Sequence, residues 1–210
     1  MATHARAERA HLVQALTEAG PDAPTLCEGW TTRDLAAHVV LRERRMDAAA
    51  GIMVKALASR TERVQAEFAA RPWPELLEMV AAGPSRRTPL GFKPIDEAAN
   101  VVEFFVHGED VRRAKPGWEP RLLDAGLTEA LWKRTAGIAK LAGRRASAGL
   151  VLRRPDGQTT VAHKGTPVVT LTAEPGEIVL FMSGRQAHAI VEMDGPADAV
   201  AAVRAAKFGL

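Results

Sequence analysis

The sequence predicts a mainly α protein, a helical bundle over roughly the first 145 residues followed by a small α/β segment of about 65. Two observations carry this reading. Apolar residues recur at helical spacing from near residue 4 to near residue 142, interrupted only by proline- and glycine-rich breaks. After Gly143 the period changes to short runs rich in β-branched residues, separated by turn residues. The chain has 210 residues, 47% of them apolar, enough for a packed core.

Ala5, Leu12, Val13 and Leu16 place a first helix over about residues 4–19, stopped by Gly20-Pro21. A loop rich in Pro, Asp and Gly runs from Pro21 to Trp30. Thr31 then reads as an N-cap, with Asp34 completing a weak capping box, and the second helix is expected to reach about Ala50. A helical region over about 61–82 is broken at Pro72-Trp73-Pro74. After a loop from Gly83 to Pro94, a fourth helix spans about Ile95 to Ala114. A fifth covers about 122–142 through Leu127, Ala130, Leu131, Ile138 and Leu141.

In the tail, Gly149 to Arg153 reads as a strand, Pro155-Asp156-Gly157 as a turn, and Thr159 to Ala162 as the return strand. Val168 to Thr172 is a further strand, and Glu177 to Met182 fits either a short helix or a buried strand. Ala187 to Glu192 reads as a strand, and Pro196 to Lys207 as a closing helix. The resulting domains are 1–145 and 146–210, the second near the lower limit for independent stability and so expected to pack on the first.

The 28 basic and 25 acidic residues leave a net charge of +3, too balanced and too interspersed to argue for nucleic acid. No apolar run approaches the ~20 residues needed to cross a bilayer, and the first residues lack a secretory apolar core. With Cys27 as the only cysteine, no internal disulfide can form. These features predict a cytoplasmic protein without membrane or nucleic-acid partners, a monomer or a homodimer.

The residues that carry chemistry lie in Asn100-Val-Val-Glu-Phe-Phe-Val-His107. Glu103 and His107 are four apart, neighbours on one helical face. A helical wheel groups them with Asn100, Phe104, Asp110 and Val111, and sets Glu109, Arg112 and Arg113 on the opposite, exposed side. An ionised carboxylate among apolar groups is costly unless it is paired or binds a metal. His38 lies between Leu35 and Leu41 on its own wheel, pointing inward, and is the best third ligand in a bundle that builds sites from facing helices. From the residues alone two readings stay open: a metal centre, or an ion pair beside a hydrogen-bonded core histidine. Cys27 reads as a small buried thiol, with a nucleophile as the alternative. Trp73, Trp118 and Trp132 are core or interface. The chain has no Gly-x-Ser-x-Gly, no phosphate-cradling glycine loop and no Cys-x-x-Cys.

Trp30-Thr-Thr-Arg-Asp-Leu-Ala-Ala-His38, the later Glu103-x-x-x-His107, and a small α/β tail containing Phe181-Met-Ser-Gly-Arg185 resemble the mycothiol-dependent maleylpyruvate isomerase family. That family lies within the DinB/YfiT-like superfamily of metal-binding four-helix bundles. With its opening Thr25-Leu-Cys-Glu-Gly-Trp30 the chain is similar to an uncharacterised metal-binding branch. The resemblance implies a DinB/YfiT-like four-helix bundle with a His-Glu-His metal triad, which falls on His38, Glu103 and His107. It also implies a catalytic arginine in the tail, at Arg185; the bland alternative is a surface cation after a helix end.

The function expected from this is a thiol-dependent isomerase or S-transferase. A low-molecular-weight thiol, mycothiol, would act on a small electrophile with a divalent metal. Zinc is the first choice, and nickel, cobalt, manganese or iron suit the same ligands. Asp34 either orients His38 or serves the helix start. The tail also resembles sterol-carrier-like folds, so a non-catalytic protein binding metal and a small molecule or lipid is the rival expectation.

Overall fold

The computed structural model describes residues 4–52, 54–84 and 93–209. It divides into two compact units, Met1–Pro120 and Arg121–Leu210. The first is helical: α1 (His4–Ala19), α2 (Thr32–Arg44), the short α3 (Met46–Ala49), α4 (Ala58–Ala69), α5 (Trp73–Ala82) and α6 (Lys93–Arg112). The second holds α7 (Ala125–Ala142), β1 (Gly149–Arg153), β2 (Thr159–His163), β3 (Val168–Thr172), α8 (Pro175–Met182), β4 (Glu192–Asp194) and α9 (Ala197–Ala205).

The start of α2 is tightly specified. The Thr31 backbone N–H donates to Asp34 Oδ2 at 2.9 Å, and the Asp34 N–H is accepted by Thr31 Oγ1 at 3.4 Å, a complete capping box. The helix ends sooner than its periodicity suggests. Arg45 leaves helical geometry (φ −129°, ψ 63°) and its guanidinium turns onto Asp47 at 2.9 Å, so the expected reach to Ala50 is split into α2 and α3. The break at Pro72 separates α4 from α5, with Pro74 in the first turn of α5, where its missing N–H costs no helical bond. Of the loop expected over 83–94, residues 85–92 lie outside the described residues.

In the first unit α1 packs along α6, and α2 along α4 and α5. Leu12 and Leu16 of α1, Leu35 and Val39 of α2, Leu76 and Val80 of α5, and Phe104 and Val111 of α6 share one buried core. Each large side chain removed from water contributes about 1.5–3 kcal/mol. The polar side of α6 departs from the wheel. Glu109 and Arg113 are buried, paired at 2.6 Å, with the Arg113 guanidinium 4.4 Å from the Trp118 ring centre. The chain after α6 folds back and covers that face.

The second unit is a four-stranded sheet in the order β2-β1-β3-β4. β1 is antiparallel to β2 and parallel to β3, and β3 is antiparallel to β4. Leu150, Leu152, Val169 and Leu171 point to one face, onto Ile178, Phe181 and Met182 of α8 and Val203 of α9. The sequence periodicity groups α7 with the bundle. In the structure Ala139 and Ala142 of α7 belong to the sheet's core, and the compact unit begins at Arg121 rather than at residue 146.

Two tail segments resolve differently from their local patterns. The ambiguous Glu177–Met182 run is helical, every residue of α8 being buried. The strand expected over Ala187–Glu192 forms only from Glu192. Before it, Gln186–His188 make a 3-10 turn, and the Ile190 N–H donates to the buried Glu177 carboxylate at 2.8 Å, which draws that backbone off the ladder. Among the described residues, no helix is long and apolar enough to cross a membrane.

Candidate metal centre

Two helices build the site. α2 carries His38 and, one turn on, Arg42; α6 carries Asn100, Glu103, His107 and Asp110 along one stripe. The capping box fixes the start of α2, so Asp34 serves the helix start. Trp30, just before the cap, lies with its ring 5.0 Å from that of His38.

The structure brings His38, Glu103 and His107 together. Glu103 Oε1 lies 3.5 Å from His38 Nε2 and 3.2 Å from His107 Nε2, and the imidazoles meet edge-on with centroids 5.4 Å apart. Ligand atoms of all three lie within 4.8 Å of one another. Metal–ligand bonds of about 2.0–2.1 Å at a tetrahedral angle would put neighbouring donor atoms about 3.3 Å apart. The two His–Glu103 separations bracket that edge, so these three residues could hold a divalent ion.

One contact bears on the tautomer of His107. His107 Nδ1 is 2.9 Å from Oδ2 of the fully buried Asp110, so Nδ1–H donates there and the Nε2 lone pair faces Glu103 when the ring is neutral. Asp110 Oδ2 also accepts from the Cys27 thiol at 3.3 Å. Cys27 is thus a half-buried thiol held by a carboxylate, and its ligand atom, with those of His107 and Asp110, forms a second close group. Arg42 Nε lies 3.3 Å from Glu103 Oε1.

Electrostatics follow from these contacts. Burial opposes charge on His107, but Glu103, Asp110 and Cys27 outweigh it and hold the imidazole well above its ordinary value. Burial likewise opposes ionisation of Glu103, yet His107, His38 and Arg42 hold its carboxyl well below the usual carboxylate range. His38 is lowered, chiefly by burial, with the charges of His107 and Arg42 acting the same way against Glu103.

The wheel puts Asn100 and Asp110 on this stripe without a role. Asp110 stands three residues from His107 and Arg42 four from His38, spacings that local rules can read. Cys27 is 83 residues from Asp110 and carries no such signal.

Arg185 stands in the second unit. Gly184 has φ +88° and closes α8, its position crowded by Phe208 O at 2.9 Å from where a Cβ would sit. Arg185 follows at once: its N–H donates to Leu180 O at 3.0 Å and Nη1 to Ser183 O at 2.5 Å. The Gly-Arg pair is therefore a helix-capping glycine joined to a cation.

A helical unit with a His-Glu-His cluster between two helices, joined to a small α/β unit, defines the class of protein. Residues 2–112 match the model of the mycothiol maleylpyruvate isomerase N-terminal domain, and the chain belongs to that family. Its fold is similar to two crystal structures of the mycothiol-dependent maleylpyruvate isomerase. A histidine-to-alanine mutant of that protein aligns with TM-score 0.60 at 18% identity, covering 91% of this chain and 90% of that one. A second structure gives TM-score 0.54 at 19% identity, with the same coverage of 91% and 90%. No curated protein matches the chain.

Proposed function

We propose that the protein is a divalent-metal-dependent, mycothiol-using isomerase or S-transferase acting on a small electrophile. The observation that carries this reading is the meeting of His38, Glu103 and His107 around one carboxylate oxygen, at 3.5 and 3.2 Å. Membership of the family supports the thiol. His38 Nε2, Glu103 Oε1 and His107 Nε2 are the ligands in this reading, with zinc the first choice.

A divalent ion bound by these three ligands would supply Lewis acidity, lowering the pKa of a coordinated thiol so that its thiolate is available at neutral pH. The residues do the rest. Asp110 keeps the His107 proton on Nδ1, away from the ligand nitrogen. Trp30 lies tilted at 49° against His38, with ring centres 5.0 Å apart, and limits how that ring can turn. The thiolate adds to an electrophilic carbon of the substrate. Arg185 is assigned to the substrate's carboxylate or to the enolate-like charge that the addition creates. The addition turns the substrate's C=C into a single bond; rotation about it and expulsion of the thiolate gives isomerisation, whereas returning the thiol's proton to the enolate carbon keeps the new C–S bond and gives transfer.

The test is metal content. Untagged wild-type protein, purified without chelators, is expected to hold zinc or take it up stoichiometrically, and His107→Ala to lose it. Cobalt-substituted protein is expected to change its visible spectrum on adding mycothiol. Arg185→Ala should retain metal and lose turnover by about 100-fold or more. A wild type that takes up no divalent metal would overturn the proposal. One that binds metal but ignores mycothiol would leave the non-catalytic alternative.

A further inference from the structure

Three partners approach Glu103 at the same atom, Oε1: His38 at 3.5 Å, His107 at 3.2 Å and Arg42 at 3.3 Å. The third of these is held from behind by a polar chain inside the bundle. Arg42 Nη1 donates to Asn100 Oδ1. Asn100, fully buried, donates through Nδ2 to Glu43 Oε1 at 3.4 Å. The Glu43 carboxylate, 1% exposed, is gripped by both terminal nitrogens of Arg9, at 2.7 and 2.5 Å. Arg9 is itself fixed, by a bond to Val80 O at 2.9 Å and by the Phe104 ring 4.4 Å beneath its guanidinium. Gly83 leaves room for it, since a Cβ there would lie 3.0 Å from the Arg9 guanidinium carbon.

A buried ionic chain is weak as a source of stability, because desolvating its charges offsets most of their attraction. Its geometry fixes orientation instead. Three side chains, from α1, α2 and α6, stand behind Arg42, whose Nε is directed at the oxygen that both imidazoles approach. A carboxylate released from such a contact can rotate and offer a metal both oxygens.

We propose that Arg42 is a positioning residue: locked by Asn100, Glu43 and Arg9, it holds Glu103 as a one-oxygen ligand and so keeps a coordination position for the thiol. The inference rests on the metal-dependent reading above. In that reading Arg42 touches neither thiol nor substrate and acts only through Glu103. Lysine cannot replace it, because a single ammonium on a flexible stem does not reproduce a planar fork that reaches Glu103 and Asn100 together.

The experiment uses the full chain loaded with cobalt, comparing wild type with Arg42→Met, Arg42→Lys and Asn100→Ala. Arg42→Met is expected to keep stoichiometric cobalt, to lose d–d intensity as Glu103 takes up a second contact, and to bind mycothiol about tenfold more weakly. Arg42→Lys should behave like Arg42→Met. Asn100→Ala should shift the same spectrum in the same direction, and should add nothing in the Arg42→Met background, because the two act in series. If Arg42→Met does not fold, Arg42→Lys and Asn100→Ala decide alone. A cobalt spectrum and thiol affinity unchanged from wild type would overturn the inference, as would complete loss of metal or additive effects in the double variant. A wild type that binds no metal is a different failure: it removes the proposed function first.

Discussion

Asp110→Asn separates a tuned metal ligand from a buried ion pair. Asp110 is fully buried and its Oδ2 lies 2.9 Å from His107 Nδ1. Asparagine has the same shape, and its side-chain oxygen still accepts from Nδ1–H, so the tautomer survives and the lost quantity is charge. Full Coulomb attraction at about 4 Å and an effective dielectric near 20 would be about 4 kcal/mol, but desolvation of the carboxylate cancels much of it. A charged hydrogen bond is worth about 1.5–3 kcal/mol and a neutral one about 0.5–1.5, leaving a difference of about 1–1.5 kcal/mol. That corresponds to about tenfold in zinc affinity, the lower end of the 10–100-fold typical of removing a carboxylate behind a metal-bound histidine. Competition against a chromophoric chelator near neutral pH measures it directly. Zinc affinity equal to wild type would refute the argument, for it would mean that Asp110 has no bearing on what His107 Nε2 offers.

The remaining expectations concern pH and stability. In chelator-treated protein, His107 is held above its ordinary value. The stabilisation this gives is complete below about pH 6.5, the unfolded value, and is lost as pH rises through the raised folded value. The melting-temperature advantage of wild type over His107→Gln should therefore shrink as pH increases above 6.5; an advantage that grows would contradict the assigned contacts. Thr31→Ala removes the side-chain half of the capping box at the head of α2. It should cost about 1 kcal/mol, about 2–4 °C in Tm for a chain of this length, while zinc binding stays close to wild type.

Much of the fold is legible because its causes are local. Gly20, Thr31 and the Pro72-Trp73-Pro74 step mark helix ends by backbone chemistry that any neighbour leaves intact. β3 falls where its β-branched run lies, and β1 on the apolar Leu150-Val151-Leu152 run. Where the pattern misleads, a distant group intervenes. Arg45 turns to Asp47 and ends α2; the Glu177 carboxylate captures the Ile190 N–H and delays β4; Trp118 covers the face of α6 that the wheel assigns to solvent. The home of α7 is likewise unreadable from periodicity, since an apolar stripe shows that a helix is buried on one side without naming its partner.

The candidate site divides the same way. Spacing alone sets Glu103 beside His107, and Asp110 within reach of it, because a helix repeats every 3.6 residues whatever surrounds it. Spacing cannot bring His38 and Arg42 of α2 to the same oxygen, lay Cys27 against Asp110, or close the chain from Arg9 to Glu43 and Asn100. Those meetings depend on how the helices pack, which the buried faces of Leu12, Leu35, Val39 and Phe104 decide together.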